Sequence, residues 1–146
     1  MGSLNSYFTL SGRLTPLQYW RIQLRLALVT AAVVIVTCFA TIAGGWLGAV
    51  PLLFVIPVVL AGFVAGLRRL HDRGKGAVWL AIFTFGPLAL VAPSRLLDRS
   101  ASTGLLLGAL LLALASIVLA IWGWIEIGFL RQKGPNRYGP DPKTAA

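Results

Sequence analysis

Acidic residues are almost missing. The 146-residue chain has four Asp and Glu against thirteen Lys and Arg, with one histidine and one cysteine. A single cysteine, Cys38, excludes an intrachain disulfide, and one cysteine with one histidine excludes the Cys/His clusters that hold structural zinc. No metal site and no cofactor is expected. Charge of either sign is scarce at 12% of residues, while 58% are hydrophobic and the mean hydropathy is +0.83, which excludes an ordinary soluble domain. In a soluble protein a formal charge of +9 would suggest nucleic-acid binding. Here the cations sit between apolar runs, so nucleic acid is not an expected partner.

Four apolar runs predict an all-α membrane protein, a bundle of four transmembrane helices at 24–42, 46–67, 78–97 and 105–127. The third run is the weakest. Read strictly it ends at Ala92 and carries Gly86-Pro87; Leu96 and Leu97 extend it past Pro93, with Arg95 able to snorkel. A re-entrant segment is the alternative there. About 23 residues precede the first run, which is itself too long for a signal-peptide core, so no cleavage is expected.

The cations arbitrate the topology. Arg13, Arg21 and Arg25 precede the first span; Arg68, Arg69, Arg73 and Lys75 fill the loop 68–77; Arg131, Lys133, Arg137 and Lys143 lie in the tail 131–146. Four spans put these eleven on one side and only Arg95 and Arg99 on the other, which by the positive-inside rule places residues 1–23, the loop and the tail in the cytoplasm. A three-span chain would put the tail's cations outside.

Local chemistry marks the helix ends and faces. Thr15-Pro16-Leu17-Gln18 is a capping-box sequence with Pro at the first helical position, so the first helix begins before the apolar run, at the headgroup level, with Tyr19 and Trp20 as anchors. A turn at 43–45 makes the first two helices a tight hairpin, and Pro57 predicts a kink in the second. Gly62 with Gly66, Gly104 with Gly108, and the small-residue face of Ala109, Ala113, Ser116, Ala120 and Gly123 are helix-packing candidates, because association within lipid depends on close packing.

Three segments carry the polar chemistry. The first is Arg68-Arg69-Leu70-His71-Asp72-Arg73-Gly74-Lys75-Gly76, where Gly74 suits a left-handed helix cap and the cations suit a lipid headgroup or phosphate. His71 and Asp72 are also a formal acid/base pair, although no nucleophile or metal ligand lies near them in sequence. The second is Glu126, the one acidic residue bordering a span, which needs a cationic partner; Arg68, Arg69 or Arg73 is expected to meet it. The third is Asn136-Arg137-Tyr138-Gly139-Pro140-Asp141-Pro142, stiff and irregular, suited to docking on the loops.

Gly12-Arg13 followed by Tyr19-Trp20, then Arg-Arg-Leu-His-Asp at 68–72, then the Asn-Arg-Tyr-Gly-Pro-Asp-Pro tail at 136–142, resemble the bacterial inner-membrane family catalogued as domain of unknown function 805. The resemblance covers nearly the whole chain. In that family the His-Asp loop is usually followed by Ser-Gly-Trp-Trp, where this chain has Lys75-Gly76-Ala77-Val78-Trp79. It implies a bacterial inner-membrane location and leaves the molecular role open.

The favoured reading is a non-enzymatic binding or scaffold module. Its cytoplasmic cap would combine Arg13, Arg68, Arg69, His71, Asp72, Arg73, Asn136, Tyr138 and Asp141 to contact anionic membrane lipids or an acidic protein partner; a second copy of the chain is a further candidate partner. A small oligomeric transporter using Glu126 is the alternative, disfavoured because the span middles lack ionisable residues. An enzyme acting on lipid phosphates through His71 and Asp72 is third.

Overall fold

The computed structural model describes residues 7–96 and 102–143. Among them the regular structure is helical, apart from an isolated bridge between Asn136 and Gly139. The α-helices are α1 Pro16–Gly44, α2 Val55–Asp72, α3 Ala77–Val91 and α4 Thr103–Gly128, with 3-10 segments at Gly45–Phe54 and Ala92–Leu96. Three helical stretches are long and apolar enough to cross a membrane: Pro16–Asp72, Ala77–Ser94 and Thr103–Gly128. The first has 57 residues and reverses at Gly45, so that α1 and α2 lie antiparallel side by side.

The start of α1 follows its sequence signal. Gln18 N donates to Thr15 Oγ1 at 3.2 Å and Thr15 N donates to Gln18 Oε1 at 3.0 Å, a reciprocal capping box with Pro16 at the first position. At the other end Gly45 takes φ +61°, a left-handed conformation that costs glycine little, and Gly48 then lies so close to the Ala40 and Thr41 backbone that a Cβ would overlap it. The second expected helix is divided: residues 45–54 are 3-10 and contain Pro51, and α2 starts only at Val55. Pro57 is therefore the third residue of α2, close to where the 3-10 winding gives way to α-helix. In the third expected span, α3 runs through Pro87 and gives way to 3-10 at Ala92; Leu97 and Arg99 lie outside the described residues.

The molecule is apolar outside and polar within. Among the described residues the buried hydrophobic ones are Leu14, Tyr19, Ala61, Ala65, Leu70 and Phe83, whereas nine polar or charged residues are buried, Arg69 and Asp72 completely. Large apolar side chains such as Leu28, Phe39, Ile42, Leu111 and Val118 point outward. In water that distribution would be unstable; in hydrocarbon the outward faces are solvated, and the helices cohere through packing and polar contacts. Tyr19 belongs to the interior, in a cluster with Leu14 and Ala65, and its hydroxyl accepts from Gln23 Nε2 at 2.9 Å, so of the two expected surface anchors only Trp20 is exposed.

Among the α-helices the most extensive packing joins α3 to α4 and α1 to α2, and the 3-10 segment Gly45–Phe54 packs on α1 more extensively still. Between α3 and α4, a Cβ on Gly123 would come within 2.9 Å of Phe83, and Ser116 Oγ donates to the Pro87 carbonyl at 2.9 Å. Ala109 and Ala113 are half-buried on the same face, whereas Ala120 is exposed. Gly62 approaches Gln23 and Leu26 of α1, and Gly66 approaches Leu80 of α3. Gly104 and Gly108 face open space within this chain.

Candidate functional site

At one end of the bundle the N-terminal segment, the end of α2, the end of α4 and the tail converge. The chain reverses after α2 in a compact cap: Gly74 N donates to the His71 carbonyl at 3.0 Å and Lys75 N to the Leu70 carbonyl at 2.9 Å, with Gly74 at φ +69°. Leu14 N donates to the Arg68 carbonyl at 3.3 Å, laying the N-terminal segment across this turn.

Asp72 is the centre. Its Oδ1 accepts from Arg13 Nε at 3.0 Å and Nη2 at 2.9 Å, and its Oδ2 accepts from Arg69 Nη1 at 2.6 Å. All three side chains are 1% exposed or less, so two cations share one carboxylate in a dry site. Backbone carbonyls take further donors, Arg13 reaching Gly134 at 2.7 Å, Gln132 at 2.8 Å and Gly139 at 3.2 Å, and Arg69 reaching Leu14 and Leu130, while Arg69 Nε is buried without a hydrogen-bond partner among the described residues. A guanidinium suits this task, since its rigid fork of five donors can hold a carboxylate and several carbonyls at once.

The tail closes over this core. Asn136 and Gly139 exchange backbone hydrogen bonds in a tight turn, and Asn136 Nδ2 donates to the His71 carbonyl at 2.9 Å. That turn stacks Tyr138 on His71, with centroids 3.9 Å apart and planes 7° from parallel, and a Cβ on Gly76 would lie 3.0 Å from the Tyr138 hydroxyl. His71 Nδ1 lies 3.3 Å from the Gly12 carbonyl, which requires the proton on Nδ1. Arg137 lies over the Tyr138 ring at 4.8 Å and donates to the Gly74 carbonyl at 3.0 Å. Asp141 accepts from the backbone of Lys143 and of Gly134, each at 3.0 Å, and pairs with Arg131. These donors, the Lys143 N–H foremost, hold its carboxyl down at about 2.

Glu126 forms a second, separate ion cluster. It accepts from Arg73 Nε at 2.7 Å and Lys75 Nζ at 2.9 Å and is itself 2% exposed. Arg73 is one of its expected partners; Lys75 is an addition. The Lys75 ammonium also sits over Trp79 at 4.4 Å, with Trp122 and Phe83 at 5.4 and 5.7 Å. Charge counting registered Lys75 only as a loop cation. The signal that would have found this contact is Trp79 four residues on, with Trp122 four residues before Glu126.

The segments singled out in sequence thus meet, and the geometry apportions them. Arg13, Arg69, His71, Asp72, Asn136, Tyr138 and Asp141 bind one another and the backbone, and Arg73 binds Glu126. His71 and Asp72 face different partners. Among the described residues no group of three or more His, Cys, Asp or Glu is placed to hold a metal ion. Arg68 lines an open cavity with Arg21 and Arg25, residues that entered the sequence reading only through their charge.

An all-helical architecture with helices apolar enough for membrane insertion, clasped at one end by its own motif residues, defines the class of protein. The chain belongs to the family described as Protein of unknown function (DUF805), whose family model matches residues 7–140. Comparisons with the curated proteins and with the solved structures found no match.

Proposed function

We propose that this protein is a non-enzymatic binding module of a bacterial inner membrane, crossing it four times with both ends in the cytoplasm, whose basic cap engages anionic lipid headgroups. The observation that carries this reading is a charge imbalance the cap cannot settle internally. Three carboxylates, Asp72, Glu126 and Asp141, stand among the eleven cations of the N-terminal segment, loop and tail. Each carboxylate already has its cations. The surplus of eight positive charges borders apolar helices, and a leaflet rich in anionic lipid is the partner that both features fit. The four-crossing topology rests on the same cations, and the bacterial inner membrane on the family resemblance.

The test is native mass spectrometry of the full chain released from lipid nanodiscs containing equal amounts of phosphatidylglycerol and phosphatidylcholine. Phosphatidylglycerol adducts are expected to survive collisional activation that strips phosphatidylcholine. Equal loss of both lipids overturns the reading.

A further inference from the structure

Resting on that reading and deepening it, we infer that the cleft between the start of α1 and the end of α2 is a binding site for a single phospholipid with an anionic phosphate headgroup. Its polar mouth is a cavity of about 320 Å³ into which Arg21 and Arg25 of α1 and Arg68 of α2 all contribute. Arg21 and Arg25 are one helical turn apart on one face, where like charges repel. Among the described residues no carboxylate pairs with either; Arg25 reaches the neutral Tyr7 hydroxyl at 3.1 Å. Arg68 sits in the last turns of α2, where the helix dipole favours a cation, and brings a third guanidinium to the same space. Three convergent arginines beside an open cavity are the chemistry that holds a phosphate by forked, charge-assisted bonds.

A second cavity makes the ligand a lipid rather than a free anion or an acidic peptide. It measures about 470 Å³, shares Tyr7 and Arg25 with the first, and continues between the helices along Leu26 and Val29 of α1 and Pro57 of α2, with almost no polar surface. Pro57 is eleven residues before Arg68 in the helix, so the apolar channel runs on the order of 16 Å below the arginines. Phe8 also lines it, and Tyr7 stands at the junction of the polar and apolar parts. An inorganic phosphate would fill only the mouth, and a peptide would have to lay backbone polar groups in the dry channel, at a cost of several kcal/mol each in hydrocarbon. One molecule with a phosphate at one end and an acyl chain at the other fits both.

The site is tested on the full-length protein in neutral detergent, titrated with phosphatidylglycerol and read by native mass spectrometry. For Arg21→Gln/Arg25→Gln the dissociation constant of the first lipid is expected to rise about tenfold or more, two charge-assisted contacts being lost. Val29→Trp, which fills the channel and keeps every charge, is expected to weaken the lipid about fivefold while leaving competition by inorganic phosphate unchanged. The charge-matched Lys133→Gln/Lys143→Gln variant is expected to stay within about twofold of wild type, its charges being exposed and screened. If the two double variants weaken binding equally, the cations act diffusely, and the site falls while the basic-cap reading stands. If Val29→Trp has no effect and inorganic phosphate displaces the lipid stoichiometrically, the ligand is a free anion and the inference falls. If wild type does not prefer phosphatidylglycerol to phosphatidylcholine, the inference and the cap reading fall together.

Discussion

Arginine does opposite work at two places at the same end of the molecule. At the Asp72 centre, the side chains of Arg13 and Arg69 are 1% exposed or less and their hydrogen bonds are internal, to one carboxylate and five backbone carbonyl oxygens. In the α1–α2 cleft, Arg21 and Arg25 are exposed, face a cavity and have no carboxylate among the described residues. The first arrangement can only be structural, because admitting a ligand would strip groups already bonded in a dry site. The second leaves its guanidinium groups beside open space, which is the arrangement the proposed lipid site requires. Surplus charge can mark which end of a membrane protein attracts anions, but which of its arginines would bind one depends on whether their donors are already occupied.

The contrast is broken most directly by removing Asp72. Asp72→Ala leaves two buried guanidinium groups sharing no counter-charge, and loss of one partner from a buried ion pair costs about 3–5 kcal/mol. The expected result is a chain that unfolds or aggregates in detergent at temperatures where wild type is intact, measured by thermal unfolding followed by near-ultraviolet circular dichroism. A variant as stable as wild type would mean that water or lipid phosphate already reaches the pair, and the division between the two regions would collapse.

A matched pair of substitutions sharpens it. Arg13→Gln removes the charge-assisted bonds to Asp72 and the anchoring of the tail carbonyls, with an expected loss of about 2–3 kcal/mol. Arg21→Gln changes an exposed side chain on the same end of the molecule and is expected to stay within about 0.5 kcal/mol of wild type. The check is the difference between the two denaturation midpoints in one detergent. Equal shifts would show that net charge, rather than which donors are bonded, governs the stability of this end.

Sequence reasoning reached whatever was local. The capping box of Thr15 and Gln18, the left-handed Gly74 and the turn at Gly45 are each decided within four residues, and the structure has all three. It also gathered the correct segments, because residues that charge assigns to one end of a bundle must lie near one another. It did not resolve who bonds whom within the gathering. Arg13 and Asp72 are 59 residues apart, and nothing in the spacing of either motif distinguishes an arginine that holds a carboxylate from one that faces a cavity. The run 46–67 is helical but not uniformly α: hydropathy sees an unbroken apolar run, whereas the close approach of Gly48 to the α1 backbone after the Gly45 reversal accompanies a tighter 3-10 winding up to Phe54. Gly104 and Gly108 have the spacing of a packing face, yet packing needs a second helix, and none among the described residues lies against them.

The smallest expected effect lies at the outer edge of the clasp and depends on pH. Asp141 ties the turn of the tail to Arg131, where the tail leaves α4, and to the Gly134 and Lys143 N–H groups, and these donors lower its carboxyl from 3.8 to about 2. A carboxyl depressed in the folded state contributes its stabilisation above the unfolded value, and the contribution fades as pH falls from about 3.8 towards about 2. Docking of the tail should therefore be insensitive to pH between 8 and 5 and loosen below about 4, before the rest of the molecule responds. The measurement is pepsin cleavage after residue 131, compared between pH 4 and pH 2.5, with Asp141→Asn as the reference that lacks the transition. Loosening already at pH 6 would assign the switch to His71 and its stack with Tyr138, and would make the aromatic pair, rather than the carboxylate, the latch of the tail.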